Sequence, residues 1–393
     1  MNIKGFKFST VEAAIKKPGR LDLALIFSEV PAAVAAVFTT NRVKAAPVLL
    51  CMERVKEETC QALVVNSGNA NACTGHEGMD ACRETARIVA QELGITEESV
   101  LASSTGVIGQ QMPMDRVRQA MPELVKGVGG STLADVAQAI MTTDTFPKME
   151  TRTGTAAGRP YTISGIAKGA GMIMPNMATM LAFIVTDASV EPGWLRKVFR
   201  EANDSSFNMI SVDGDTSTND MAVIMANGMA GNAPLEGGSP DAARFVQLLQ
   251  EVLLGLARQI VRDGEGATKF VTITVRGAIS NTEARRAAMS VANSLLVKTA
   301  FFGQDANWGR ILAAVGYSGA MVDQERVGLS FDDVLMVRDG VFAGGDAEAR
   351  GTEALSKPEF TVTVDLRLGE GIATVFTSDL SYEYVKINAD YRT

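Results

Sequence analysis

Residues 181–185, Leu-Ala-Phe-Ile-Val, follow one another without a polar interruption. An extended segment of that kind is stable only when both of its faces are covered. A single sheet with one wet face cannot hold it, so the chain must stack a sheet between other layers. Other segments read as half-buried strands: Val271, Ile273 and Val275 alternate with Thr272, Thr274 and Arg276, and Phe360, Val362, Val364, Leu366 and Leu368 alternate with polar partners before a Gly-Glu-Gly turn. Both are expected to pair antiparallel. Helices are written between them. Met79, Cys82, Ala86, Val89, Ala90 and Leu93 recur at three- and four-residue steps ahead of Gly94. Ser239-Pro240 opens a second helix with the stripe Phe245, Leu249, Val252, Leu253, Leu256 and Ile260, and Ser280 with Glu283 writes a capping box ahead of Ala287, Val291 and Leu295. The mixture predicts an α/β (α+β) layered fold with sheets packed between helices. At 393 residues it divides into two or three lobes, with boundaries expected in the Gly-, Asn- and Pro-rich loops 226–240 and 339–358.

Charge and composition narrow the function. A formal net charge of −8 with no basic stripe argues against a nucleic acid or an anionic membrane surface as partner. The longest apolar stretch, Met177 to Val185, is nine residues against the roughly 20 that cross a bilayer, and the N-terminus lacks the apolar core of a secretory signal. A cytoplasmic enzyme of small metabolites is the expectation. Cys51, Cys60, Cys73 and Cys82 are spaced 9, 13 and 9 apart, outside CxxC spacing, and read as buried free thiols. His76 is the only histidine. A zinc site built on two histidines is therefore excluded, a Ser-His-Asp triad would rest on this one residue, and no metal is expected. His76 itself lies in a polar turn before a helix, where a surface or capping role is the commoner one.

The segment 168-KGAGMIMPNMATMLAFIVTDA-188 passes abruptly from Gly169, Gly171 and Pro175-Asn176 to the apolar strand, with Thr179 at the junction. If the chain is cut between Ala178 and Thr179, a threonine hydroxyl and a free α-amine stand side by side. Such an amine has a pKa of about 7.7 to 8, near enough to neutrality to take the hydroxyl proton, so one residue is both nucleophile and base. The cut itself would begin with attack of the Thr179 hydroxyl on the Ala178 carbonyl, giving an ester that water hydrolyses. On the residues alone, Thr179 reads more readily as one more threonine at the start of a strand, with the neighbouring methionines as core filler.

KGAGMIMPNMATML resembles the self-cleavage segment of the ornithine acetyltransferase (glutamate N-acetyltransferase) family. FTTNRVKAAPV (38–48), VVNSGNANACTG (64–75), ASSTGVIG (102–109), MTTDTFPK (141–148), NMISVDGDTSTNDM (208–221), FGQDANWGRI (302–311) and KINADYRT (386–393) resemble further segments of that family in the same order. Ser9-Thr10 departs from the Gly-Val pair expected there.

The resemblance implies a fold similar to N-terminal-nucleophile enzymes, with an α chain of residues 1–178 and a β chain of residues 179–393 assembled as a heterotetramer. It assigns Thr179 as nucleophile, Thr105 and Gly106 as the oxyanion hole, and Thr142, Lys168, Thr179, Glu265, Asn388 and Thr393 as substrate contacts. The implied reaction is double displacement: Thr179 takes the acetyl group from N2-acetylornithine, releases ornithine and passes the acetyl to glutamate, giving N-acetylglutamate. No cofactor is implied, and acetyl-coenzyme A stays open as a co-substrate. Lys168 and Glu265 suit the α-carboxylate and side-chain ammonium of acetylornithine. Three other readings compete. Asp213-Gly-Asp215-Thr-Ser217 is similar to the nucleophile loop of haloacid-dehalogenase-type phosphatases, but Ser217 breaks the pattern and a turn with satisfied Asx side chains explains it better. A self-processed amidase or aminopeptidase would hand the acyl group to water. A non-catalytic binding protein would never cut itself.

Overall fold

The computed structural model describes residues 3–174 and 180–390. Leu181–Thr186 is a strand, and all six of its residues are buried. Its side chains serve two cores in alternation. Ala182 and Ile184 pack with Leu249, Val252 and Leu256 of the helix Pro240–Arg262 and with Phe199 of the helix Pro192–Asp204. Leu181, Phe183 and Val185 face the other way, toward Val48 and Cys51 of the helix Ala46–Arg54 and Val136 of the helix Leu133–Ala139. The covered strand demanded by its composition is therefore the middle of a helix–sheet–helix sandwich.

Among the described residues this sheet runs Val100–Val107, Thr59–Asn69, Leu23–Phe38, Met221–Ala226, Leu181–Thr186, Arg159–Lys168 and Lys148–Ala156, with Phe6–Val11 antiparallel to Leu23–Phe38 as an eighth strand. Ser9 and Thr10 fall inside Phe6–Val11. Leu181–Thr186 lies parallel to Met221–Ala226 and antiparallel to Arg159–Lys168. The 16-residue strand Leu23–Phe38 slips register between Phe27 and Ala32, and its far end, Ala33–Phe38, pairs with Met221–Ala226. Such an irregularity bends a strand. The bend folds the sheet over its inner core, where Leu63, Val65 and Leu101 join the cluster of Phe183 and Val185.

A second, smaller lobe follows toward the C-terminus. Its sheet runs Val341–Phe342, Val334–Arg338, Gly328–Phe331, Glu359–Asp365, Phe270–Ala278, Gly371–Ser378 and Ile210–Ser211. Phe270–Ala278 buries Val271, Ile273 and Val275 as its alternation predicts, but it pairs parallel with Glu359–Asp365 and antiparallel only with Gly371–Ser378. The antiparallel expectation for the first pair is corrected: about 80 residues with four helices between them permit a crossover, and alternation does not encode a partner's direction. Apart from Ile210–Ser211, which already pairs in the second sheet, the chain passes from one sheet to the other at residues 263–269. The loop 226–240 joins a strand to a helix within the first lobe, and 339–358 lies within the second.

The helix starts follow their caps. Ser239 accepts the Ala242 N–H and Ser280 the Glu283 N–H. Glu283 does not complete the box; its carboxylate accepts the Met321 N–H instead at 2.7 Å. The helix Asn281–Asn293 also ends early, and Leu295 opens a new helix, 63% exposed, rather than extending the buried stripe. Cys51, Cys60 and Cys82 are buried, while Cys73 is exposed, because it sits in the turn leading into the helix Gly75–Leu93.

Phe183 is 1% exposed and packed in the inner core, so Phe183→Ala should destabilise the protein by about 3–5 kcal/mol in chemical denaturation. A loss below about 1 kcal/mol would contradict the two-faced packing.

Candidate active site

Several loops and strand ends meet at one cleft of about 140 Å³. Thr105 and Gly106 close the strand Val100–Val107, where Asn69 pairs with both Thr105 and Val107 in a bulge, so the Thr-Gly pair is strand and not a plain turn. Gly106 has φ +135°, and a Cβ there would stand 2.3 Å from the Gly68 carbonyl carbon, which restricts the position to glycine. Lys168 ends the strand Arg159–Lys168, well removed from Val100–Val107 in the sheet order, and across the fold its Nζ donates to the Thr105 hydroxyl at 3.4 Å. Asn219 ties the same walls together, its Nδ2 donating to the Ser104 and Ala70 carbonyls at 2.8 and 2.5 Å.

Buried charge surrounds Lys168. Asp144 accepts from Lys148 Nζ at 2.7 Å, from the Gly169 N–H at 2.7 Å and from the Thr142 N–H at 3.0 Å. Burial pushes its carboxyl up, but the Lys168 and Lys148 ammonium groups and these hydrogen bonds outweigh it and hold it at about 2. Asp263 accepts from Lys148 as well, at 2.5 Å, and from the Thr145 N–H and hydroxyl. The Lys168 ammonium is pushed down by burial, with Asp144 opposing the shift. One ionised carboxylate thus fixes the backbone of Gly169 and Thr142 and steadies the lysine between them.

On the opposite wall Glu265 accepts from Asn388 Nδ2 at 2.9 Å, Asn388 being on the last helix, Tyr382–Asp390. Gly171 is pressed against Glu265, and a Cβ on it would meet the carboxylate at 2.3 Å. Asp213 holds the strand-breaking segment: it accepts the Met172 N–H at 2.6 Å and the Ile173 N–H at 2.8 Å, while Met174 N–H donates to the Asp215 carbonyl at 2.9 Å. The Asp213 loop is the Asx-satisfied turn its sequence suggests, and its acceptors are spent on residues 172–173 and on its own Asp215 N–H.

Thr105, Gly106, Thr142, Lys168, Glu265 and Asn388 therefore all line the same cleft. Ala178, Thr179 and Thr393 lie outside the described residues; the described chain reaches Met174 on one side of residues 175–179 and Met180, which lines the cleft, on the other. His76 is exposed on the first turn of the helix Gly75–Leu93 and takes no part in the lining. Asp144 and Asp220 also belong to this site and have no role in the sequence reading, and Asp213, read there only as part of a phosphatase-like loop or a turn, joins them. The signal for Asp144 is its place four residues before Lys148 in MTTDTFPK; the turn pattern around Asp213 marks its loop but not its grip on residues 172–173, and Asp220 carries no signal without its partners. Among the described residues no group of three or more His, Cys, Asp or Glu side chains could hold a metal ion.

Asp144 gives a pH signature. Its folded pKa lies below the ordinary 3.8, so its contribution to stability is complete above pH 3.8 and is lost as pH falls from there toward about 2. Asp144→Asn should lower stability at neutral pH by roughly 3 kcal/mol, because it leaves buried lysines short of their counter-charge, and should flatten this part of the acid-unfolding curve. An unchanged curve would contradict the assignment.

The ArgJ family matches residues 7–393. An arginine biosynthesis bifunctional protein ArgJ of Geobacter sulfurreducens is 71% identical over 393 residues, all of both chains, and one of Syntrophotalea carbinolica is 52% identical over 394 residues, again all of both. Among solved structures, the arginine biosynthesis bifunctional protein argJ of Bacillus halodurans is 42% identical with a TM-score of 0.52, over 53% of this chain and 98% of that one. A match that runs through every segment lining the cleft settles the kinship: the chain belongs to the ArgJ family and is an acyltransferase.

Proposed function

We propose that this enzyme serves arginine biosynthesis by moving an acetyl group from N2-acetylornithine to glutamate through an acetyl ester on Thr179, after cutting itself between Ala178 and Thr179. The observation that carries the reading is the convergence of Thr105, Gly106, Lys168, Glu265 and Asn388 on a cleft that Met180 also lines. In this reading Thr105 and the Gly106 N–H stabilise the oxyanion of each tetrahedral intermediate, where loss of one donor typically costs about 3 kcal/mol of barrier. Lys168 meets the substrate's α-carboxylate, and Glu265, steadied by Asn388, meets the ornithine ammonium. Thr142 and Thr393 are further substrate contacts. The sole histidine is exposed and off the cleft, which favours the Thr179 α-amine as base. Acetyl-coenzyme A could charge the same threonine, since the second half-reaction is indifferent to where the acetyl came from.

Sheet order explains how a cut chain stays whole. Met221–Ala226 and Leu181–Thr186, both downstream of residue 178, lie side by side between Leu23–Phe38 and Arg159–Lys168, both upstream. An α chain of 1–178 and a β chain of 179–393 would remain joined by two full ladders of backbone hydrogen bonds and the shared cores. The Bacillus halodurans chain, used up at 98% by matching 53% of this one, has the size of one such half. Two αβ pairs would form the heterotetramer. No described helix is long and apolar enough to cross a membrane, which accords with work in the cytoplasm.

The test is mass spectrometry of denatured, active protein. Two chains starting at Met1 and Thr179 are expected, and Thr179→Ala should abolish both the cut and acetyl transfer. An active, intact 41.6 kDa chain would overturn the mechanism. If acetylornithine and glutamate yield free acetate and no N-acetylglutamate, the amidase reading replaces it.

A further inference from the structure

Asp220 is a buried carboxylic side chain, 3% exposed, on the wall of the active-site cleft, and its Oδ2 meets no hydrogen-bond partner among the described residues. A buried polar atom left unpaired costs about 1–3 kcal/mol, so it is expected to have a partner in some state of the protein. Its place in the fold says which. The next residue, Met221, donates its N–H to the Met180 carbonyl at 2.9 Å, and Leu181 and Met221 are register partners in parallel strands. Residue 180 is bonded directly to residue 179, with consecutive Cα atoms 3.8 Å apart. The backbone thus sets Asp220 beside the chain one residue after the proposed cut.

We propose that Asp220 is the positioning residue for the α-amine of Thr179: the amine freed by the cut donates one N–H to the Asp220 carboxyl, which turns its lone pair toward the Thr179 hydroxyl. The inference rests on the reading that the chain is cut before Thr179.

The surroundings fit an uncharged acceptor. Burial pushes the Asp220 carboxyl well above the ordinary carboxylate range, with Ser217 and the Lys168 ammonium opposing the shift. The cleft also carries Asp213, Asp215, Glu265 and Tyr384, and Asp144 with Lys148 stands behind Lys168. An ionised Asp220 would hold the neighbouring amine as ammonium, unable to accept a proton. A neutral carboxyl orients it and leaves it a base near neutral pH. No atoms are exchanged in this role: the hydroxyl proton passes to the amine as Thr179 attacks the acetyl carbonyl, and from the amine to the departing nitrogen as the tetrahedral intermediate collapses.

The test compares Asp220→Ala and Asp220→Asn in the full chain, each weighed first to establish the cut. Because the amine exists only after cutting, Asp220→Ala should still be cut. Its kcat should fall about a hundredfold with KM for both substrates kept, as expected for a misdirected catalytic group. Asp220→Asn, which keeps an uncharged hydrogen-bonding group of the same shape, should restore kcat to within about tenfold of wild type and guards against a mere folding defect. An unchanged kcat in a cut Asp220→Ala chain overturns the proposal. So does an Asp220→Ala chain that stays uncut while the wild type cuts, since the carboxyl would then act before the amine exists. Wild-type protein that is active and uncut defeats instead the reading beneath it.

Discussion

The strand Leu181–Thr186 is the constraint on which the rest of the structure depends. Its six side chains are buried in two cores at once, and its backbone is bonded on both edges. It cannot slide by one residue without exchanging Ala182 and Ile184 for Phe183 and Val185 in cores of different shape. Whatever precedes it in the chain must therefore emerge at one place, beside the end of Arg159–Lys168 and the start of Met221–Ala226. Residues 168 and 220 are consequently fixed relative to Met180, and the register slip in Leu23–Phe38 folds the sheet so that Thr105 and Gly106 reach the same spot.

Around that spot the protein buries charge in an ordered way. The chain as a whole is anionic, yet its cleft sets two lysines, 148 and 168, against Asp144 and Asp263. Asp144 stays ionised because both lysines face it, and Asp220 is driven toward its neutral form by burial. Two carboxyl groups near one lysine are thereby pushed in opposite directions, Asp144 down by its lysine partners and Asp220 up by burial. Asp213 plays a third part by accepting the backbone N–H groups of Met172 and Ile173, which pins the chain on its approach to residues 175–179.

Much of the architecture was legible in the residues, for reasons that are local. Continuous apolar character required a strand with two covered faces, alternation marked Val271, Ile273 and Val275 as one buried face, and Ser239 and Ser280 announced helix starts by the hydrogen bonds they go on to accept. What failed was non-local. Alternation does not encode whether a partner runs parallel, so the pairing of Phe270–Ala278 with Glu359–Asp365 was missed, and Glu283 was drawn from its capping role by Met321, 38 residues away. The site divides in the same way. Thr105, Gly106, Thr142, Lys168, Glu265 and Asn388 came from resemblance to a family. Asp144, Asp213 and Asp220 sit in ordinary polar runs, and their meaning lies in Lys168, Ile173 and Met180, which only the fold brings near.

The central claim is that one threonine carries the acetyl group between two amino acids. Protein incubated with N2-acetylornithine alone, quenched in acid and weighed, tests it most directly. The chain beginning at Thr179 should be heavier by one acetyl group, fragmentation should place that group on its first residue, and addition of glutamate before the quench should remove it as N-acetylglutamate. A chain that stays unmodified while N-acetylglutamate forms only when both substrates are present together would contradict the account.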